Sequence, residues 1–435
     1  MNIFIGVVVG LVVLMILVIL HEFGHFIAAR RNGVNVLEFG IGFPPRAIAW
    51  VKDPETGKWR RLPRKEWPKD RAAARAVYSD GDKTLVQKGM IFSINWLPIG
   101  GFCQMDGESA ADERKGTFGA ASFWKKTKIL FAGVAMNWLT AVVILTVLAW
   151  VGMPDFLDGQ FTIAEDTRVE WVPVRVATVA EESPASRAGI QAGDFILSVD
   201  GNVMKYASEI TDYDKAHAGE TVSFKIMRGI DADCIKQTTC ETEVCECAKD
   251  AKTLEKEVTL NSAESEYLLG ITMESSQLTS YSTWSAPLVG IGLTAQVTGQ
   301  TFRGLGEMLW NLVRGVGSLF SPDSQVREEG QAAISAVGDS VSGPVGIIGV
   351  LFPAFTSAGP ANLAFLAAII SISLACMNIL PIPALDGGRW LLITIFKLRG
   401  KKLSKETEEK IVTRAFIVLL ILMFAVTILD ITRFF

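Results

Sequence analysis

The most constraining feature of this 435-residue chain is an uncharged run from Ile3 to Leu20 that ends directly on His21-Glu22-Phe23-Gly24-His25. A helix needs roughly 17–25 mostly apolar residues to cross the hydrocarbon core of a bilayer. The run is long enough, so it reads as a membrane span carrying its ionisable residues at one end. On a helix, H-E-x-x-H places the two histidines one turn apart on one face, with both imidazoles aimed at one point. That is the arrangement of two zinc ligands, with Glu22 beside them to take a proton from water. Ionisable groups at a span cost several kcal/mol and carry function by default. The bland alternative is a helix that leaves the bilayer at His21 and exposes all three residues to water. A cleaved signal peptide is a second alternative for the run. Against it, there is no basic n-region and no convincing small-x-small site before Arg30 and Arg31.

Three more apolar runs follow, over Ile129–Val151, about Leu363–Leu380 and about Ala415–Leu429. They account for a mean hydropathy of +0.32 with only 20% charged residues, above the range of soluble globular chains. A net charge of -4 with no basic surface excludes a nucleic-acid binder. Lys and Arg placement sets the orientation. Arg30, Arg31, Arg60, Arg61, Arg64, Lys65, Lys69, Arg71, Arg75, Lys125, Lys126 and Lys128 lie between the first two runs. Lys397, Arg399, Lys401, Lys402, Lys405 and Lys410 lie between the last two. Both segments are expected in the cytoplasm, with both chain ends and the long stretch from about Met153 to Pro360 outside.

The expected fold class is an α-helical polytopic membrane protein of about four spans, with a membrane-associated β region and an inserted α+β domain. Residues 1–30 form the first span, 31–128 the cytoplasmic or membrane-associated β region, and 129–152 the second span. Residues 165–275 form the inserted domain with a Cys-rich insertion at 230–252, and 280–343 an amphipathic segment. Residues 344–390 form the third span region and 411–430 the fourth span. In the β region, Val34–Phe43 and Leu97–Met105 read as strands dipping toward the membrane or as an ordinary cytoplasmic hairpin. The basic and aromatic stretch around Trp59, Arg60, Arg61 and Trp67 suits a loop facing anionic lipid. From about Trp284 to Phe320 the apolar residues recur at helical spacing, as in helices lying along the outer leaflet, with an extra crossing as the alternative.

The outer region carries a strand (Val174–Val179), a turn and short helix ended by Gly189, a strand closing on Asp200-Gly201, and a helix near Tyr206–Ala218. This succession resembles a PDZ domain of the bacterial type. The resemblance implies binding of peptide C-termini or pre-cleaved substrate ends by strand addition. Leu269-Gly270-Ile271 resembles the backbone nest that receives the carboxylate; the plain reading is a core strand with Gly270 at a bulge. Cys234, Cys240, Cys245 and Cys247 fall within the insertion. Outside the membrane they suit disulfides, with three possible pairings, and a metal site is the weaker alternative. Cys103 and Cys376 read as small buried apolar residues.

Zinc takes three protein ligands and keeps one open position. The chain has three histidines, and the third, His217, lies in the outer domain. The remaining ligand is therefore expected to be a carboxylate. Asn378-Ile379-Leu380-Pro381-Ile382-Pro383-Ala384-Leu385-Asp386-Gly387-Gly388 ends the third run on the same side as His21 and His25. Its prolines break the helix and its glycines let the backbone turn Asp386 inward. H-E-F-G-H in the first span, N-x-x-P-x-P-x-L-D-G in a later one and a PDZ-like domain between them resemble the site-2 protease family of intramembrane zinc metalloproteases. The regulator-of-sigma-E protease (RseP) branch is the nearest likeness. Leu97–Phe102, the Gly133 and Asn137 pair, and Ser342–Ile347 are similar to further elements of that family. The resemblance implies one Zn2+ held by His21, His25 and Asp386, with Glu22 as general base. It implies substrate contacts from Asn378 and from the β edge at Gly100, Gly101 and Phe102. It implies a bacterial inner-membrane enzyme with an extracytoplasmic PDZ domain, cleaving single-span membrane proteins such as an anti-sigma factor or remnant signal peptides. The chain departs from the family in having one PDZ-like domain and in its Cys-rich insertion. A polytopic transporter, which predicts inverted repeats that the sequence does not display, and a catalytically inactive PDZ scaffold are the other function classes.

Overall fold

The computed structural model describes residues 2–52, 57–64, 90–107, 114–157, 159–204, 206–230, 251–262, 264–265, 267–274, 277–340 and 343–434. The chain divides into two compact units, Met1–Thr146 with Gly290–Phe435, and Val147–Val289.

In the first unit, four helices are long and apolar enough to span a bilayer: α1 (Asn2–Arg31), α2 (Phe123–Val151), α8 (Pro360–Ile379) and α10 (Lys405–Phe434). Only a helix or a closed barrel satisfies every backbone polar group in lipid, so long uncharged runs fold this way. Each helix except α8 continues past its apolar run, so Lys125, Lys126 and Lys128 lie inside α2. The expected third span region, 344–390, is three separate elements. A short apolar helix α7 (Pro344–Ser357) with a π-helical turn precedes α8, and Asp386 opens a further helix, α9 (Asp386–Leu398). Pro381 and Pro383 lie in the break between α8 and α9, where a helix cannot continue.

Two long strands, β1 (Val36–Lys52) and β3 (Ile91–Met105), with β2 (Trp59–Arg61), make a sheet that pairs with itself twice. Phe39 pairs with Cys103 on one side and Phe92 on the other, while Trp50 pairs with Phe92 and Arg61. The segment 101–105 is thus outermost on the side opposite β2. Gly42 (φ 76°) and Gly100 (φ 75°) take the left-handed conformation that lets both strands turn back. Glu38, 3% exposed, accepts from Ser93 Oγ at 2.6 Å and from Arg46, locking the turn from within.

The amphipathic segment is α5 (Ala286–Ser318) followed by α6 (Ser324–Ser340). Its first half packs on other helices of this unit. Gly290 packs against Val142 O and Thr146 of α2, and Thr298 hydrogen-bonds Cys376 of α8. The cause is small residues: a Cβ at Gly290 would sit 2.8 Å from Val142 O, so glycine lets the backbones touch. The second half keeps Leu309, Trp310, Val313 and Phe320 exposed.

The second unit has a sheet of order β10 (Lys252–Thr259), β9 (Thr221–Arg228), β7 (Phe195–Val199), β6 (Val174–Val179), β11 (Ile271–Glu274), with β8 (Asn202–Val203) on β7. Val174, Val176, Ile196, Ile210, Phe224 and Ile226 fill its core. Ser183 caps α3 (Pro184–Ala188) through Ser186 N, and Gly189 ends it at φ 75°. Helix α4 (Ala207–Ala216) covers the core through Ile210. A second sheet joins β4 (Met153–Pro154), β12 (Gln277–Tyr281) and β5 (Arg168–Val172). Gly270 takes φ 78° just before β11, and the irregular register lies at Thr272 and Met273, so Gly270 is a turn residue and not a bulge within a strand.

Candidate metal centre

The i, i+4 spacing on α1 brings His21 and His25 to one face, where both are buried. Their Nε2 atoms lie 3.1 Å apart. Asp386 Oδ2 lies 3.3 Å from His21 Nε2 and 3.2 Å from His25 Nε2. These three atoms form a nearly equilateral triangle. Tetrahedral zinc with bonds of about 2.0–2.1 Å separates its ligands by about 3.3 Å, so the set fits that ion closely. Asp386 Oδ2 is buried with no hydrogen-bond partner, as expected of an oxygen left for a metal.

The ring nitrogens facing away complete the fit. His25 Nδ1 donates to Ile129 O at 2.8 Å, which leaves the Nε2 lone pair toward the triangle. His21 Nδ1 faces the Asn137 carboxamide at 3.3 Å. The near atom is Asn137 Nδ2, and turning the carboxamide over would let its Oδ1, otherwise buried without a partner, accept the Nδ1 proton and leave His21 Nε2 a lone-pair donor. Asn137 is 1% exposed, and Ser371 Oγ of α8 donates to its backbone oxygen at 2.9 Å.

Glycines make the room. A Cβ on Gly133 would lie 2.5 Å from both His21 Cε1 and His25 Nε2. A Cβ on Gly24 would collide with Ala132 O, so α1 and α2 touch backbone to backbone. At Asp386 the sequence expectation needs amending. Gly387 and Gly388 are helical, and they matter because any Cβ would strike the Ile379 and Ile382 carbonyls. Close approach, not conformational freedom, seats the first turn of α9. Trp390 Nε1 then donates to Thr127 Oγ1 of α2 at 3.0 Å.

Glu22, on the same helix turn as His21, accepts from Cys103 N of β3 at 2.9 Å. Gly101, Phe102 and Cys103 on the outermost β3 segment therefore run beside the metal centre. Gly100 forms the preceding bend and Phe102 packs on Gly40. Asn378 is half-buried, and its Nδ2 donates to Leu374 O of its own helix at 3.0 Å. Leu269 and Gly270 use their carbonyls to accept from Ala185 N and Ala180 N, and Ile271 opens β11. Cys234, Cys240, Cys245, Cys247 and Ser342 lie outside the described residues. Sequence reasoning missed two buried carboxylates of α10, Glu408 and Asp430. The available signal was an acid set inside or at the start of an apolar run.

A helix long and apolar enough to span a bilayer, carrying two histidines and a glutamate and met by a carboxylate from a second element, has the donor set of a candidate metallopeptidase centre. The profile of peptidase family M50 matches residues 9–60 and 83–423, and the chain belongs to that family. It is similar to the zinc metalloprotease RasP of Shouchella clausii, at 26% identity over 97% of both chains. It is also similar to the regulator of sigma-W protease RasP of Bacillus subtilis, at 26% identity over 99% of this chain and 100% of that one.

Proposed function

We propose that the protein is an intramembrane zinc endopeptidase of the site-2 protease type, cutting the membrane-spanning segment of single-span proteins. The convergence of His21, His25 and Asp386 at 3.1–3.3 Å beside Glu22 carries this reading. Zinc at this centre would polarise the scissile carbonyl and lower the pKa of water. Glu22 takes the proton from water as its oxygen attacks, then gives it to the leaving amine as the C–N bond breaks. Asn137 and Ile129 orient the two imidazoles, and the glycine notch at Gly133 keeps them in place.

A substrate helix has its amides already hydrogen-bonded, so it must unwind to be cut. The outermost β3 segment at Gly101 and Phe102 is placed to take it up as an added strand, with Asn378 near the scissile bond. The second unit acts as a PDZ domain for peptide C-termini or pre-cleaved ends. Its support is β11 at the end of the sheet order and the left-handed turn at Gly270. Lys and Arg placement supports a bacterial inner-membrane protein with this domain outside, and the compartment favours disulfides among the four insertion cysteines. The similarity to the regulator of sigma-W protease of Bacillus subtilis supports a role in sigma-factor control. An anti-sigma factor or remnant signal peptides are the substrates of this reading.

The test is Glu22→Gln. The purified variant is expected to retain zinc and lose cleavage of a single-span reporter; cleavage at the wild-type rate refutes the reading. Cysteines placed at positions 58 and 250 are expected to label from opposite sides of the membrane.

A further inference from the structure

Helix α10 is barely packed. Only 6% of its apolar stretch is buried, against 33% for α2 and 44% for α8. Phe416, Val418, Ile421, Leu422, Phe424 and Ile428 are all exposed. Near its two ends, however, sit two of the most buried carboxylates among the described residues, Glu408 at 5% and Asp430 at 2% exposure. At about 1.5 Å per residue they are roughly 33 Å apart, close to the thickness of the hydrocarbon core. Asp430 accepts from Gly343 N at 3.0 Å and Gly346 N at 2.8 Å, which fastens α7. Glu408 meets Arg389 of α9, with Nη2 to Oε1 at 3.6 Å.

The second attachment bears on the metal centre. Arg389 follows Asp386 by three residues on α9, which places both on neighbouring positions of one face. Its guanidinium lies 5.7 Å from the centroid of the Phe118 ring, and the Lys126 ammonium of α2 lies 5.8 Å from the same centroid. Gly387 and Gly388 seat one face of α9 against the preceding loop, and side chains further along hold the helix in that seat. Trp390 with Thr127 and Arg389 with Glu408 are polar attachments of this kind among the described residues.

We propose that Glu408 is a positioning residue for Asp386. Acting through Arg389, it holds the first turn of α9 so that the Asp386 carboxylate stays on the histidines. The inference rests on the reading of His21, His25 and Asp386 as the zinc ligands. It also gives the loosely packed fourth span a task that its apolar surface does not explain.

The experiment measures zinc affinity by chelator competition on the full-length protein in detergent micelles, beside thermal unfolding of the same samples. Glu408→Gln is expected to weaken zinc binding about tenfold, the lower end of the cost of losing a supporting contact behind a ligand. Arg389→Gln is expected to do the same. Because the two act as one unit, the double variant should be no weaker than the worse single variant. Asp430→Asn should lower the unfolding temperature yet leave zinc affinity unchanged, which separates positioning from general stability. Wild-type zinc affinity in Glu408→Gln, or additive losses in the double variant, overturns the proposal. If Glu408→Gln does not fold, Glu408→Asp replaces it, with an intermediate loss expected and wild-type affinity again overturning it. His21→Ala guards the underlying reading. If it binds zinc as the wild type does, the ligand assignment fails; if it does not bind and the Glu408 variants do, only the positioning role fails.

Discussion

Replacing Gly133 by alanine puts two effects of opposite sign on one position. In the middle of a helix, alanine is favoured over glycine by about 1 kcal/mol, so propensity alone predicts a firmer α2. The added methyl would lie 2.5 Å from His21 Cε1, 2.5 Å from His25 Nε2 and 2.7 Å from His21 Nε2. Ordinary contact between such atoms is about 3.5 Å, so the imidazoles or α2 must yield by about 1 Å. A zinc site tolerates ligand displacements of only about 0.2 Å. Moving α2 away would pull apart the backbone contact of α1 with α2 at Gly24 and Ala132. The rings must turn, and turning them breaks the contacts to Ile129 and Asn137. Loss of such supporting contacts costs roughly 10–100-fold in metal affinity, or about 1.4–2.7 kcal/mol. The clash therefore wins over propensity at the metal. Chelator competition on purified Gly133→Ala should show that loss, together with a matching fall in cleavage of a single-span reporter. Gly304→Ala is the control, since its Cβ would meet nothing within 4 Å. It should leave zinc binding alone. Zinc affinity within twofold of wild type in Gly133→Ala would refute the account of the notch.

Two further expectations concern other parts of the chain. Gly388→Ala forces a methyl onto the Ile382 carbonyl and should displace Asp386, so zinc content should fall while His21 and His25 remain intact. Asp214 is 4% exposed, with Oδ1 unpaired, and burial pushes its carboxyl up to about 7 against a weaker opposing pull from His217. A raised carboxyl favours the protonated folded form, so its contribution to stability is complete below about pH 4 and is lost as the pH rises through 7. Asp214→Asn should flatten that part of the pH dependence of thermal unfolding; an unchanged profile counts against it.

The chemistry was more legible in the sequence than the geometry that supports it. H-E-x-x-H marks two candidate ligands and a candidate base by helical spacing alone, and the scarcity of histidine directs the search for a third to a carboxylate. Asp386 could be found because a proline-broken, glycine-containing end of an apolar run is a local signal. What escaped depends on contacts between distant segments. That β1 pairs with both halves of β3 follows from two glycine bends and a buried Glu38, which no alternation pattern announces. That α5 meets α2 follows from Gly290, one small residue among many. Gly387 and Gly388 stand out in the sequence, but the crowding by Ile379 and Ile382 that requires them is invisible until the turn is built. Glu408 and Asp430 were hidden for the opposite reason. A single acid in an apolar helix announces a partner without naming it.

The contact of α1 with α2 has a consequence for how freely this sequence can drift. Most of the surface of the spans needs only to be apolar, so Ile, Leu, Val and Phe can be exchanged along α10 with little effect on the rest. At Gly24 and Gly133 even one carbon has nowhere to go. The chain is thus permissive over most of its length and rigidly specified at a few positions that carry no chemistry of their own. Sequences of this architecture could differ along most of their spans and still bring the same three donor atoms together.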